Sequence, residues 1–208
     1  MRSETPFMHY AKEFMGQRLI LFLFSVCFIS GCGVVATFGS IRTAAAMCVG
    51  TVIFVLVEYT VHRYILHEFP QIVPFAYKGH VAHHRFPNDS KYLFGPVSFD
   101  LLAYLVIFGA SFIVTGYDWH LAFAVVFGAS GFQIYYQWNH YVSHRPIKPL
   151  TPLGKWLKKR HLLHHHLDEH ALYGVTNPVL DIVMGTNRPK AIQSRPSASP
   201  NEKRIPLS

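Results

Sequence analysis

Hydrophobic positions along this chain come in long unbroken runs, not in the alternation of a strand or the one-sided stripe of a surface helix. Four runs, Leu19–Thr37, Thr43–Val61, Val97–Thr115 and Leu121–Trp138, reach the length at which a helix crosses a bilayer core, about 20 residues at about 1.5 Å each. Small residues within them, Gly31, Gly33, Gly128, Ser130 and Gly131, offer places where helix backbones can approach closely. The first run is long, lacks a small-residue cleavage site before a polar region and is followed at once by another, so it reads as a span and not a cleaved leader. The pattern predicts an all-α integral membrane protein with four transmembrane helices. Residues 1–18 form a cytoplasmic N-terminal segment, 19–186 the membrane domain with a cytoplasmic helical cap, and 187–208, rich in Pro, Ser, Lys and Arg, a disordered tail. There is no internal repeat and no second domain.

Composition sharpens the class. Half of the 208 residues are hydrophobic and 14% are charged, which is too apolar for an ordinary soluble domain. The net charge of +8 does not point to nucleic acid, because the cations lie between apolar runs and do not decorate a polar surface. Their distribution fixes a sidedness instead. With a cytoplasmic N-terminus, segments 1–18, 62–96 and 139–208 lie inside and hold 18 of the 19 Lys and Arg residues, leaving only Arg42 outside. Both termini are then cytoplasmic. Cys27, Cys32 and Cys48 all fall in apolar stretches without a CxxC spacing, and read as small buried hydrophobes.

The chain has 14 histidines, and most of them sit on the cytoplasmic side of that topology. His62 and His67 follow the second run, His80, His83 and His84 precede the third, His140 and His144 follow the fourth, and His161, His164 and His165 lie in the C-terminal segment. On a helix, residues i and i+4 are about 40° apart and share a face, whereas i+3 falls about 60° to the other side. His80/His84, His140/His144 and His161/His165 can therefore each chelate one ion. In the two HxxHH boxes the middle histidine points toward a neighbouring ion, which predicts two metals. The first box fits less well: at i+5 the rings of His62 and His67 are about 140° apart, and share an ion only if the helix end unwinds or widens. His9 and His120, the latter beside Trp119, read as ordinary interfacial residues. Sidedness needs only Lys and Arg, so repeated HxxHH spacing calls for another explanation.

These boxes resemble the fatty acid hydroxylase superfamily, which includes fatty acid 2-hydroxylases, sterol desaturases and methyl oxidases. The match is carried by Glu58-Tyr59-Thr60-Val61-His62-Arg63 through His67, His80-Val81-Ala82-His83-His84, His140 through His144, and His161-Leu162-Leu163-His164-His165. It continues into Tyr173-Gly174-Val175-Thr176 and Asp181-Ile182-Val183-Met184-Gly185-Thr186, covering roughly residues 50 to 186. The fatty acid 2-hydroxylase branch is the most similar. What that resemblance implies is one ion held by His62, His67, His80, His84 and His164 and another by His83, His140, His144, His161 and His165. His166 and His170 have no ligand role in the family pattern. His166 is left as an outer residue near the site, and Glu58, one turn before His62, as a carboxylate that could orient that ring. Its bland alternative is a helix-end glutamate packed on Arg63 or on polar backbone. The cytochrome b5 domain often fused to eukaryotic 2-hydroxylases has no counterpart in these residues, which suggests a compact bacterial member in the inner membrane, the endoplasmic reticulum being the alternative.

Converting an aliphatic C–H bond to C–OH is beyond side-chain acids, bases and nucleophiles and needs a metal that activates O2. Imidazole suits iron, zinc and copper. The expected cofactors are two iron ions and O2, with zinc standing in for iron in a purified or crystallised sample. A separate electron-transfer protein is expected to supply electrons, and a membrane lipid or fatty acyl chain to be the substrate. Lys155-Trp156-Leu157-Lys158-Lys159-Arg160 reads as an interfacial segment with its aromatic and leucine toward lipid, or as a solvated basic turn. Rival readings are a sterol or carotenoid hydroxylase or a lipid desaturase of the same plan and, in another class, a membrane metal-binding or transport protein. The spans are nearly free of ionisable residues, which disfavours a transport pathway.

Overall fold

The structure is a computed structural model that describes residues 6–190. Among the described residues every regular element is helical. Helix α1 (Pro6–Met15) leads into α2 (Arg18–Val34), and α3 (Ile41–Thr60) runs without a break into a π-helical stretch, Val61–Glu68. Then come α4 (Pro74–Arg85), the single turn α5 (Ser90–Leu93), α6 (Val97–Val114), α7 (Trp119–Ser143), α8 (Pro152–His166) and the short α9 (Val179–Val183). Local chemistry sets the starts. Ser40 accepts from the Arg42 N–H ahead of α3, Asp118 from Leu121 ahead of α7, and Thr151 from Gly154 ahead of α8, where Pro152 also opens the helix.

Helix α7 is the hub. Helix α3 runs parallel to it at close range: a Cβ added to Gly50 would lie 1.9 Å from the Val125 carbonyl oxygen, and one added to Gly128 2.0 Å from that of Met47. Phe54 of α3 then meets Phe132 and Tyr136 further along. Helices α2 and α6 run antiparallel to α7. His120 at the start of α7 bonds the Gly33 carbonyl at the end of α2, while Phe14, just before α2, packs on Trp138 and Tyr141 at the other end. On α6, Phe108 meets Phe123, and Tyr104 donates to Gln133.

Three helical stretches, Arg18–Thr37, Ile41–Glu68 and Ser90–Val114, are long and apolar enough to cross a membrane. The expected fourth, α7, is not among them. A helix surrounded by others can carry Gln133, Gln137 and His140 buried against its neighbours, and that polarity lowers its hydropathy below that of a lipid-facing span. Outward faces are greasy instead, with Phe28, Leu102, Leu105 and Val114 exposed. Cys32 and Cys48 lie on such faces and Cys27 is half-buried, so the expectation of buried thiols is corrected: a thiol is apolar enough to face lipid.

The N-terminal segment is strapped down as helix α1. Tyr141 donates to the Tyr10 carbonyl and to Glu13, and Glu13 pairs with Arg145. At the other terminus, Arg160 donates to Asn187 and the Lys190 N–H to Asp168, so residues 187–190 are tied to the cap. The remainder of the expected tail, 191–208, lies outside the described residues.

Candidate metal centre

Four elements converge at one end of the bundle. The last turns of α3 widen, with the Phe69 N–H reaching back five residues to the Tyr64 carbonyl at 2.8 Å, which stacks residues five apart on one face. His62 and His67 are thereby brought together, ring centroids 5.2 Å apart. The i,i+4 pairs meet as ordinary helix geometry dictates: His80/His84 at 4.6 Å, His140/His144 at 5.0 Å and His161/His165 at 4.5 Å. His83 faces His140 and His144, away from its own box, and His164 faces His62 and His67.

The result is two groups of five. His62, His67, His80, His84 and His164 present one ring nitrogen each within 4.8 Å of one another, and so do His83, His140, His144, His161 and His165. Several nitrogens face each other directly: His67 and His84 Nε2 stand 2.9 and 3.0 Å from His80 Nε2, His83 and His140 Nε2 are 3.0 Å apart, and His144 and His161 Nε2 are 2.8 Å apart. Other nitrogens, including His62 Nε2, His164 Nε2 and both of His165, are buried with no protein partner. Convergent imidazoles with orphaned, buried nitrogens fit a pair of divalent cations, which would supply the missing partner that hydrogen bonding does not.

Charge follows burial. Desolvation pushes the imidazoles far below their usual range, to about 4 for His84, about 3 for His144 and about 2 for His83, and neighbouring imidazoles push the same way for His84 and His83. Burial and adjacent rings also hold His80, His161 and His164 well below the usual range. These rings are neutral at physiological pH, the state in which a histidine can ligate a metal.

A loop outside the boxes braces the first group. The Tyr173 carbonyl accepts from His62 Nδ1 at 2.6 Å and the Ala171 carbonyl from His164 Nδ1 at 2.7 Å. Glu58 makes no hydrogen bond to the His62 ring. Its carboxylate accepts from the N–H groups of Val175 (2.7 Å) and Thr176 (2.9 Å) and from the Thr176 hydroxyl, which is the polar-backbone alternative. Asp181, fully buried, accepts from the N–H groups of Tyr173 and Gly174, from Thr186 Oγ1 and from Arg160. His166 is exposed, its ring 6.2 Å from that of His165, and His170 is exposed beside Glu169. His120 stacks on Trp119 at the far end of the bundle.

The basic run of α8 is neither purely interfacial nor purely solvated. Trp156 is exposed with the Arg160 guanidinium 4.9 Å from its ring centroid, but Leu157, expected toward lipid, is buried. Lys158 donates to the carbonyls of Val142, Arg145 and Ile147, closing the C-terminal end of α7. Sequence reasoning named Asp181 only within the family match and Lys158 only within the basic run, and missed Ala171 and Arg145 altogether. Three of these act on or through main-chain carbonyls, which leave no mark in side-chain spacing.

The fold and the site together define a class: helical membrane proteins whose histidine boxes form a centre fit for two metal ions. The chain belongs to the fatty acid hydroxylase family, whose profile matches residues 47–186. It is similar to the ceramide very long chain fatty acid hydroxylase scs7 of Schizosaccharomyces pombe, 30% identical over 68% of this chain and 42% of that protein. It is also similar to the dihydroceramide fatty acyl 2-hydroxylase FAH1 of Arabidopsis thaliana, 31% identical over 66% of this chain and 58% of that one. The chain thus spans about half the length of these curated relatives. Among solved structures, full-length scs7p, of which only the hydroxylase domain is visible, superposes with a TM-score of 0.67 at 25% identity, covering 82% of this chain and 66% of that one.

Proposed function

We propose that this chain is an O2-dependent lipid hydroxylase that inserts one oxygen atom into a fatty acyl chain at the 2-position, using two irons held by the ten clustered histidines. The observation that carries this reading is the pair of five-imidazole groups at the end of an apolar bundle. The relatives support it, being a very long chain fatty acid hydroxylase of ceramide and an acyl 2-hydroxylase of dihydroceramide. Iron is chosen over zinc because the reaction is redox. The pair would supply the capacity no side chain has, activating O2 against an unactivated C–H bond. The balance is one C–H bond, O2, two electrons and two protons giving one C–OH and water, with the electrons drawn from a separate electron-transfer protein.

The chain's own residues set where this happens. Helices α3 and α7 run parallel and deliver His62 and His140 at the same end, so an acyl tail can stay among their apolar neighbours while the head group remains in the interface. That depth favours oxidation close to the carboxyl carbon. Burial holds the rings neutral, and the bonds from His62 and His164 to main-chain carbonyls fix which nitrogen faces inward. With α7 running antiparallel to α6 as a fourth crossing, the histidine groups and both termini lie on the cytoplasmic side, in accord with the Lys and Arg distribution.

The test is expression in a host that lacks 2-hydroxy fatty acids, followed by mass spectrometry of its lipids. The wild-type chain is expected to add 2-hydroxyacyl species, and His83→Ala to add none. Identical lipid profiles with and without the wild-type protein, or hydroxyl groups confined to mid-chain or terminal carbons, overturn the reading.

A further inference from the structure

The two histidine groups are braced unequally. In the first, His62 and His164 each give their Nδ1 proton to a main-chain carbonyl, of Tyr173 and Ala171, two residues apart in one loop. In the second, His83 Nδ1, His161 Nδ1 and both nitrogens of His165 are buried and meet no protein acceptor. Resting on the two-metal reading above, we infer that the loop from Ala171 to Thr176 is a clip that makes the first cage the tighter of the two, and that Glu58 and Asp181 are the positioning residues that hold it.

Leu172, between the two accepting carbonyls, has φ +61, a left-handed conformation rare for a branched apolar residue. Such a conformation persists only where the surroundings over-determine it. They do: the Leu172 N–H is bound to the Thr186 carbonyl at 2.9 Å, Asp181 takes the N–H groups of Tyr173 and Gly174 at 2.9 Å each, and Glu58 takes those of Val175 and Thr176. Gly174 lets the loop close on itself, since a Cβ there would sit 2.1 Å from the Asn177 carbonyl oxygen. Four consecutive N–H groups, from Tyr173 to Thr176, thus end on two buried carboxylates contributed by other elements, α3 and α9. A carbonyl behind an imidazole fixes its tautomer and raises the basicity of the nitrogen that faces the ion, and losing such a partner typically weakens metal binding about 10- to 100-fold.

The experiment follows metal release from the purified full chain loaded with zinc, with excess chelator and a colorimetric zinc indicator. Wild type is expected to carry two metals that leave in two phases. His83→Ala should abolish the fast phase and His164→Ala the slow one, which assigns each phase to its cage. Glu58→Gln, which keeps the side chain's volume but gives up an acceptor, should speed the slow phase about tenfold and leave the fast one unchanged; Thr176→Val, which removes only the hydroxyl, should do the same to a smaller degree. Phe54→Ala, a core truncation away from the loop, is the control for general loosening and should not single out the slow phase. Fewer than two metals on wild type overturns the two-metal reading and the clip with it. Two metals that leave in one phase, phases assigned to the opposite cages, or a Glu58→Gln protein that releases both metals faster by the same factor overturns the clip alone.

Discussion

Arg145 follows the box of α7 directly and spreads its guanidinium over several partners. It grips both carboxylate oxygens of Glu13 at 2.6 and 3.0 Å, donates to the carbonyls of Asn88 and His144, and lies over the Tyr141 ring. The pairing is reciprocal in charge: the hydrogen bond to Arg145 holds Glu13 below the usual carboxylate range, and that to Glu13 raises Arg145. Removing one partner of a largely buried pair strands the other, so Arg145→Ala is expected to destabilise the folded protein by about 3 kcal/mol. The melting temperature of the detergent-solubilised chain checks this, and a value within a degree of wild type would refute it. At this scale the convergence of the ten histidines was legible, because which rings can meet follows from residue type and helical spacing. The role of Glu58 was legible only as far as its place one turn before His62, since its partners are the N–H groups of Val175 and Thr176, more than a hundred residues away.

Between elements, the contact that brings the boxes of α3 and α7 side by side has no room for a side chain at two points. Gly50→Ala or Gly128→Ala places a methyl group about 2 Å from an opposing carbonyl oxygen, and backbone cannot yield as a flexible side chain can. Either substitution is expected to push the helices apart and to lower the metal content of purified protein. Gly131→Ala, where an added Cβ meets nothing within 4 Å, should keep both metals. Equal metal content in all three variants would show that this contact does not set the site. Four helical runs were readable from hydropathy, and their bounds hold to within a few residues. Helix α1 and the centrality of α7 were not: α1 is too short and mixed to stand out, and a helix enclosed by protein is released from the apolar rule that makes lipid-facing spans visible. The widened turn at Val61–Glu68 was foreseeable only as a requirement of the His62/His67 spacing.

For the molecule as a whole, the histidine clusters tie stability to pH. Folding holds His84 at about 4, His144 at about 3 and His83 at about 2, against about 6.5 in an unfolded chain. Below pH 6.5 the unfolded chain takes up protons that the folded one refuses. Their stability contribution is therefore complete above that pH and lost as pH falls toward the folded values, at about 1.4 kcal/mol per unit for each imidazole. Metal-free protein should melt at a clearly lower temperature at pH 5.5 than at pH 7.5. Thermal scans in which the metal-free protein is as stable at pH 5.5 would count against buried, neutral rings. The π-helical stretch carries a consequence for the entire chain. Removing one residue between His62 and His67 would return that segment to an ordinary helix and leave the two rings four apart, a better local pair than before. Everything downstream would then arrive rotated by about 100° and drawn back by about 1.5 Å, so α4 would aim its imidazoles past the rings they now meet. The bulge works as a phase correction: one surplus residue, taken up at the helix end, sets the angle at which the rest of the protein meets its own beginning.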